Sequence, residues 1–237
     1  MIERWIKNPI TAQRWQRFKS IKRGYYSFLG FMFLLFLALG AELFVNNRAL
    51  MVFYEGQIYL PTYGDFIAGR QFGFDYDHEV NYRELQSKLK IDGQSSGFVI
   101  MPVVPYGPYE NILREDTYPP FAPSIETRHY LGTDNIGRDV VARLLYGFRI
   151  AISFSLLLLV FNFVVGILVG SLMGYYGGWF DLLCQRVIEI WSNVPFLYVV
   201  IIISSIVVPN FFSLIFIMVF FGWMPMTWYL RTMAYKE

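Results

Sequence analysis

The stretch "IAISFSLLLLVFNFVVGILVGSLMG", residues 150–174, contains no charged side chain. As a helix it would reach roughly 38 Å, more than the ~30 Å hydrocarbon core of a bilayer. Lipid offers no hydrogen-bond partners to a bare backbone, so a run like this inside a membrane has to be helical. Three further apolar runs follow the same logic: Tyr26–Val45, Ile188–Val208 and Phe211–Leu230. Only Pro209-Asn210 separates the last two, which predicts a tight turn and a helical hairpin. Charged residues make up 16% of the chain, against about 25% in soluble domains. The expected fold is an all-α polytopic membrane protein of about four spans.

Charge sets the expected orientation. Arg4, Lys7, Arg14, Arg17, Lys19, Lys22 and Arg23 precede the first run, against the single acid Glu3. The positive-inside rule places such a flank in the cytoplasm. A cleavable signal peptide is the competing reading. The run is long for one, and cleavage after Ala41 would put Leu39 where a small residue is wanted, so a signal anchor fits better. Four crossings return the C-terminus, with Arg231 and Lys236, to the cytoplasm. The lone Cys184 excludes an intrachain disulfide.

Residues 46–146 hold no spanning run, and the first helix makes them extracytoplasmic. "VFYEGQIYLP" (52–61) predicts a hairpin around Glu55-Gly56, and "NYRELQSKLK" (81–90) a short polar helix. "FVIMPVVPYGPYEN" (98–111) and "TYPPFAPS" (117–124) read as proline-punctuated loops. Together these describe a small folded cap. The predicted organisation is a basic segment 1–25, a first span 26–45, an insert 46–130, a collar 131–149 and three spans within 150–237.

The collar, "LGTDNIGRDVVARLLYGFR", is polar and glycine-punctuated just before an apolar helix. From Arg138 onward Val141, Leu144, Leu145, Phe148 and Ile152 share one helical face. This predicts an interfacial amphipathic helix that enters the second span with a bend at Gly147. Thr133, Asp134 and Asn135 are candidate caps for its start. A calcium loop counted from Asp134 would put Ile136 and Leu145 at ligand positions, which excludes it.

The segment "LGTDNIGRDVVARLLYGFRIAIS" (131–153) resembles the motif opening the transport domain of bacterial ABC permeases that import oligopeptides and dipeptides. The matching positions are Leu131, Gly132, Thr133, Asp134, Gly137, Arg138, Asp139, Arg143, Tyr146, Gly147 and Arg149. The likeness continues through "GYYGGWFDLLCQRVIEIWSNVP" (174–195), with Tyr176, Gly177, Gly178, Asp181, Arg186 and Glu189. It also takes in the basic-led first helix and the "PNFFSLIFIMVFFGWM" hairpin. Ala142 and Ala151 stand where the family often has serine. The long insert is similar to that of the microcin C/oligopeptide branch. The resemblance implies the ABC importer transmembrane fold, here partial, in the bacterial inner membrane. It also implies three partners: a second permease subunit forming a heterodimer, cytoplasmic ATPase subunits and an extracytoplasmic peptide-binding protein. The family's A-A-x-x-x-G loop, which docks the ATPase, lies beyond Glu237, so the chain is expected to be C-terminally incomplete.

No G-x-x-x-x-G-K-[ST] is present, so ATP hydrolysis is expected on separate subunits and no catalytic, cofactor or metal site in this chain. Nothing in the charge distribution points to nucleic acid, and the six tryptophans mark expected membrane interfaces. His78 and His129, 51 positions apart, are expected to be solvated surface residues. Asn162, mid-span, is expected to hydrogen-bond a neighbouring helix. Asp181, Arg186 and Glu189 form a candidate cytoplasmic-side cluster, with an Arg186–Glu189 ion pair. Pro195 and Pro225 are candidate kinks. Glu42 is expected to face headgroups or the cap. The functional expectation is a peptide-importing permease subunit. A membrane-anchored scaffold acting through its insert is the alternative.

Overall fold

The computed structural model describes residues 9–91, 97–114 and 117–234. Arg4, Trp5, Lys7 and Lys236, which enter the topology reading, lie outside them. The chain divides into two compact units, Met1–Arg149 and Ile150–Glu237.

The first unit begins with helices α1 (Pro9–Ser20) and α2 (Lys22–Leu39), which meet at 95°. The sequence reading saw no break here, because Ile21 is neither glycine nor proline. An aromatic cluster holds the corner, with Phe18 on Trp15, Tyr25 and Phe28 at ring-centroid distances of 5.7, 6.2 and 5.7 Å. A single turn, α3 (Ala41–Phe44), leads into the insert.

There the predicted hairpin forms, β1 (Met51–Tyr54) pairing antiparallel with β2 (Gln57–Tyr59). Its two turn residues, Glu55 and Gly56, have φ of 48° and 81°, the left-handed pair that a two-residue hairpin requires. The predicted polar helix is α4 (Tyr82–Ile91). Asn81 starts it, its side-chain oxygen accepting from the Arg83 N–H and its amide donating to Glu84.

One expectation fails in the insert. Residues 97–100 form β3 (Gly97–Ile100), pairing with β1 in a sheet of order β2-β1-β3. Prolines further along 98–111 masked the short strand. Val52, Phe72, Val80, Tyr82, Leu85 and Val99 pack beneath the sheet as a core of the insert's own. Burial there, beside Glu79, pushes the Tyr82 phenol up to about 12. Phe121 and Thr133 anchor the loop over 117–133 by exchanging two hydrogen bonds.

Helix α5 (Val140–Tyr176) opens in the first unit and runs 37 residues without interruption. The separate interfacial helix and the bend at Gly147 are therefore corrected. Within a helix Gly147 costs only about 1 kcal/mol relative to alanine, and that does not break a continuous hydrogen-bond ladder.

The second unit continues α5 and adds α6 (Gly178–Ser192), α7 (Phe196–Ile206), α8 (Phe211–Gly222) and α9 (Met224–Ala234). Both expected kinks are full breaks. Helices α6 and α7 turn by 70° at Asn193–Pro195, and α8 and α9 by 41° at Trp223. Proline lacks the N–H that would continue the ladder; Pro225 falls in the first turn of α9, where an N–H has no intrahelical partner anyway. The hairpin turn is closed by Asn210 and Ser213, each side chain accepting from the other's backbone N–H. Among the described residues, α5 is the one helix that by length and composition can cross a membrane, and the count rises to four if each bent pair is one span.

Candidate functional site

The collar is built around two glycines and two aspartates. Gly132 and Gly137 have φ of 73° and 85°, which non-glycine residues rarely adopt. A Cβ at either would collide with backbone, at Phe121 O and Ile112 O respectively. Asp134 closes the intervening turn. Its Oδ1 accepts from the N–H of Ile136 and of Arg138, and its Oδ2 receives the guanidinium groups of Arg138 and Arg143. Partial burial alone would raise this carboxyl. The hydrogen bonds from Arg138 and Ile136 outweigh that and hold it at about 2.

Asp139 is fully buried and has two tasks. Its Oδ1 accepts from the Ala142 N–H at 2.8 Å, capping α5, and its Oδ2 meets His129 Nδ1 at 2.7 Å. The cap is therefore Asp139 and not Thr133, Asp134 or Asn135. Thr133 is occupied with Phe121, and Asp134 with its own turn. The expectation of a solvated His129 is likewise overturned, since it is 1% exposed. His78 is exposed, as expected, and stacked on Tyr76.

Beyond His129 a column of groups leads into the insert. Tyr106 stacks on the imidazole with centroids 4.0 Å apart, and the Arg83 guanidinium lies 4.6 Å from the Tyr106 ring centre. Arg83 is fixed in turn by Glu110 and by the Pro105 carbonyl. Further along α5, Tyr146 donates to Val45 O, and Arg149 pairs with Glu42 at 3.0 Å. Glu42 thus faces an arginine of the collar. Val45, Val104 and Ala142 close the apolar seam, and a serine hydroxyl at the fully buried Ala142 would need a buried hydrogen-bond partner. Collar polarity is consumed in fastening the start of α5 to the insert.

A second polar centre lies in the second unit. Asp181, 4% exposed, receives the Arg231 Nε on Oδ1 at 2.6 Å, with a second guanidinium bond and the Gln185 amide on Oδ2. This fork joins the start of α6 to the end of α9. Removing one partner of a buried pair costs about 3–5 kcal/mol, because the other charge stays buried. The predicted three-residue cluster is split: Arg186 and Glu189 pair with each other at 2.6 Å as an exposed i, i+3 couple, while Asp181 turns to Arg231. Fifty positions separate that pair, and no local spacing signals it.

Gly166, Gly170 and Gly174 were also missed. Cβ atoms at Gly166 and Gly170 would lie 2.8 Å from Met226 and from Thr227 O, and one at Gly174 would strike Ala234. The four-residue glycine spacing lets α9 lie directly against α5, and it was legible as a small-xxx-small pattern. Asn162 sits beside the side-chain-free Gly222, with its Oδ1 buried and unbonded; the hydrogen bond expected of it is not made at that oxygen. At the two breaks, Trp191, Phe196, Phe221, Met224 and Trp228 line a cavity of about 520 Å³.

Residues 166–237 match the family described as binding-protein-dependent transport system inner membrane component. The inner membrane ABC transporter permease protein YejE of Escherichia coli is 38% identical over 94% of this chain. The peptidoglycan transport system permease protein YejE of Agrobacterium fabrum is 36% identical over 91% of it. Over most of its length the chain is thus similar to peptide-family ABC importer permeases. A dipeptide transport system permease protein, DppC of Bacillus subtilis, is 33% identical over 52% of this chain. The chain spans 64% and 61% of the lengths of the two YejE relatives. Permease subunits of this family are not themselves enzymes. Relatives and apolar helices together identify a bacterial inner-membrane protein.

Proposed function

We propose that this permease subunit forms part of the translocation path of an ATP-driven importer that brings peptides into the cytoplasm. The observation that carries the reading is the pair of apolar helices broken at Asn193–Pro195 and at Trp223, locked by the buried Asp181–Arg231 fork. A passive anchor gains nothing from broken spans and a buried ion pair in the same bundle. A path that alternates between two openings uses discontinuous helices as its moving parts.

The N-terminus lies in the cytoplasm, and the insert and collar outside. A second permease subunit completes the path as a heterodimer, and separate ATPase subunits supply the energy. An extracytoplasmic binding protein delivers the substrate. The collar braces the outer rim on which that protein docks. Peptides of the microcin C or oligopeptide type are the finer reading, from the length of the insert. The name of the A. fabrum relative adds peptidoglycan as a candidate cargo.

The test is uptake of a labelled peptide by a bacterial strain lacking its own YejE and supplied with the complete open reading frame that contains this chain, the ATPase-docking loop included. Restored uptake, falling at least tenfold in Arg138→Ala at equal membrane level, is expected. No restoration with the protein present in the membrane contradicts the permease reading. Restoration that is indifferent to Arg138 removes the role given to the collar.

A further inference from the structure

We infer that α1 with its junction to α2 is a docking surface for anionic phospholipid headgroups, lying along the cytoplasmic face of the bilayer. The inference rests on the reading of α2 as a span. From Pro9 to Ala41 the chain carries Arg14, Arg17, Lys19, Lys22 and Arg23 and no acidic residue. Among the described residues no carboxylate pairs with Arg14, Arg17, Lys22 or Arg23, and all four are exposed. Every other arginine from Arg48 to Arg83 in the same unit has a carboxylate partner.

Geometry sets where these charges lie. With α2 crossing the membrane, the 95° corner puts α1 parallel to its surface. Lys22 and Arg23 begin α2 at the same level. Helix α1 is too short and too polar to insert, and none of its residues is buried. The corner is not a loose joint, because Phe18 bridges Trp15 to Tyr25 and Phe28. Arg14 and Arg17, three apart and neighbours on the helix, stay exposed beside that packing. The result is four exposed cations, two within the last ~9 Å of α1 and two just past the corner, matched in sign and depth to a layer of lipid phosphates. A cytoplasmic polypeptide is the other conceivable occupant. The orientation favours lipid, since a helix held flat by a span meets headgroups before anything else.

The experiment uses the full chain purified in a mild non-ionic detergent. Its thermal midpoint is followed against dioleoylphosphatidylglycerol, dioleoylphosphatidylcholine and glycerol 3-phosphate. Phosphatidylglycerol is expected to raise the midpoint by several degrees, and 0.5 M salt to remove most of the rise. Arg14→Gln/Arg17→Gln/Lys22→Gln/Arg23→Gln should lose most of the rise while keeping its basal midpoint. An equal rise with phosphatidylcholine, an equal rise with glycerol 3-phosphate, or a full rise in the quadruple variant would each overturn the inference.

A second measurement guards against a variant that fails to fold. A spin label at Gln13→Cys in a Cys184→Ser background, in anionic nanodiscs, should report phosphate depth. A label in bulk water or deep in the acyl chains overturns the placement. Peptide uptake is scored separately. In the parent protein, no lipid response with intact uptake sinks only this surface, whereas no uptake with an intact lipid response sinks only the transport reading.

Discussion

At the scale of single residues the collar turns on Asp139. Its two oxygens satisfy a free N–H of α5 and the imidazole of His129, both inside the fold. Asp139→Ala leaves both unpaired. A lost cap costs about 0.5–2 kcal/mol and an unsatisfied buried donor about 1–3 kcal/mol. The insert of that variant should be cleaved by trypsin at least tenfold faster than in the parent, in detergent at matched protein levels. Equal cleavage rates would show that the cap carries no stability.

Asp134 makes a prediction in pH. Its folded value of about 2 lies below the ordinary 3.8, so its contribution is complete above roughly pH 4 and vanishes as pH falls through about 2. Between pH 5 and pH 2 the parent should lose more stability than Asp134→Asn, and the two curves should run parallel above pH 5. Identical acid profiles would contradict the assigned hydrogen bonds. The motif residues of the collar were legible in the sequence, but their partners were not. His129 and Asp139 meet because the intervening turn folds back on Phe121, and no residue-level periodicity records that.

At the scale of elements, what the sequence revealed were the features with local causes. Apolar runs marked the spans, Glu55-Gly56 marked the hairpin, and Pro195 and Pro225 marked the breaks. The elements it hid depend on distant partners. β3 exists because β1 offers it an edge more than 40 positions earlier, and the α1–α2 corner exists because four aromatic rings prefer one another to a straight helix. The contact between α5 and α9 is also long-range, although the glycines announce it. Gly170→Val places side-chain atoms where Thr227 O and the Leu230 Cβ already stand. Overpacking of this kind costs about 1–3 kcal/mol or more. The variant should show a lower thermal midpoint in detergent, while Gly147→Val, whose site is open, should not. Equal midpoints for the two would contradict the close packing.

At the scale of the whole molecule, folding and transport make different demands on the same polar residues. In the first unit the insert, the collar and the head of α5 form one polar-stitched body, so the long insert is fastened to the start of that helix. In the second unit the apolar helices are interrupted where the proline ladders fail, and one buried ion pair spans fifty positions to hold them. The polytopic helical class was readable from hydropathy alone. The pairing of Asp181 with Arg231 was not, because each charge by itself looks like an ordinary interfacial residue. A tether needs neither the breaks nor the fork, and a moving translocation path uses both.

The most direct measurement is peptide transport into proteoliposomes holding the complete importer, with this subunit present or omitted and the ATPase and binding protein supplied in both. Uptake of the labelled peptide, dependent on ATP and falling to background when this subunit is left out, is the expected result. Uptake that continues undiminished without it would contradict its place in the path.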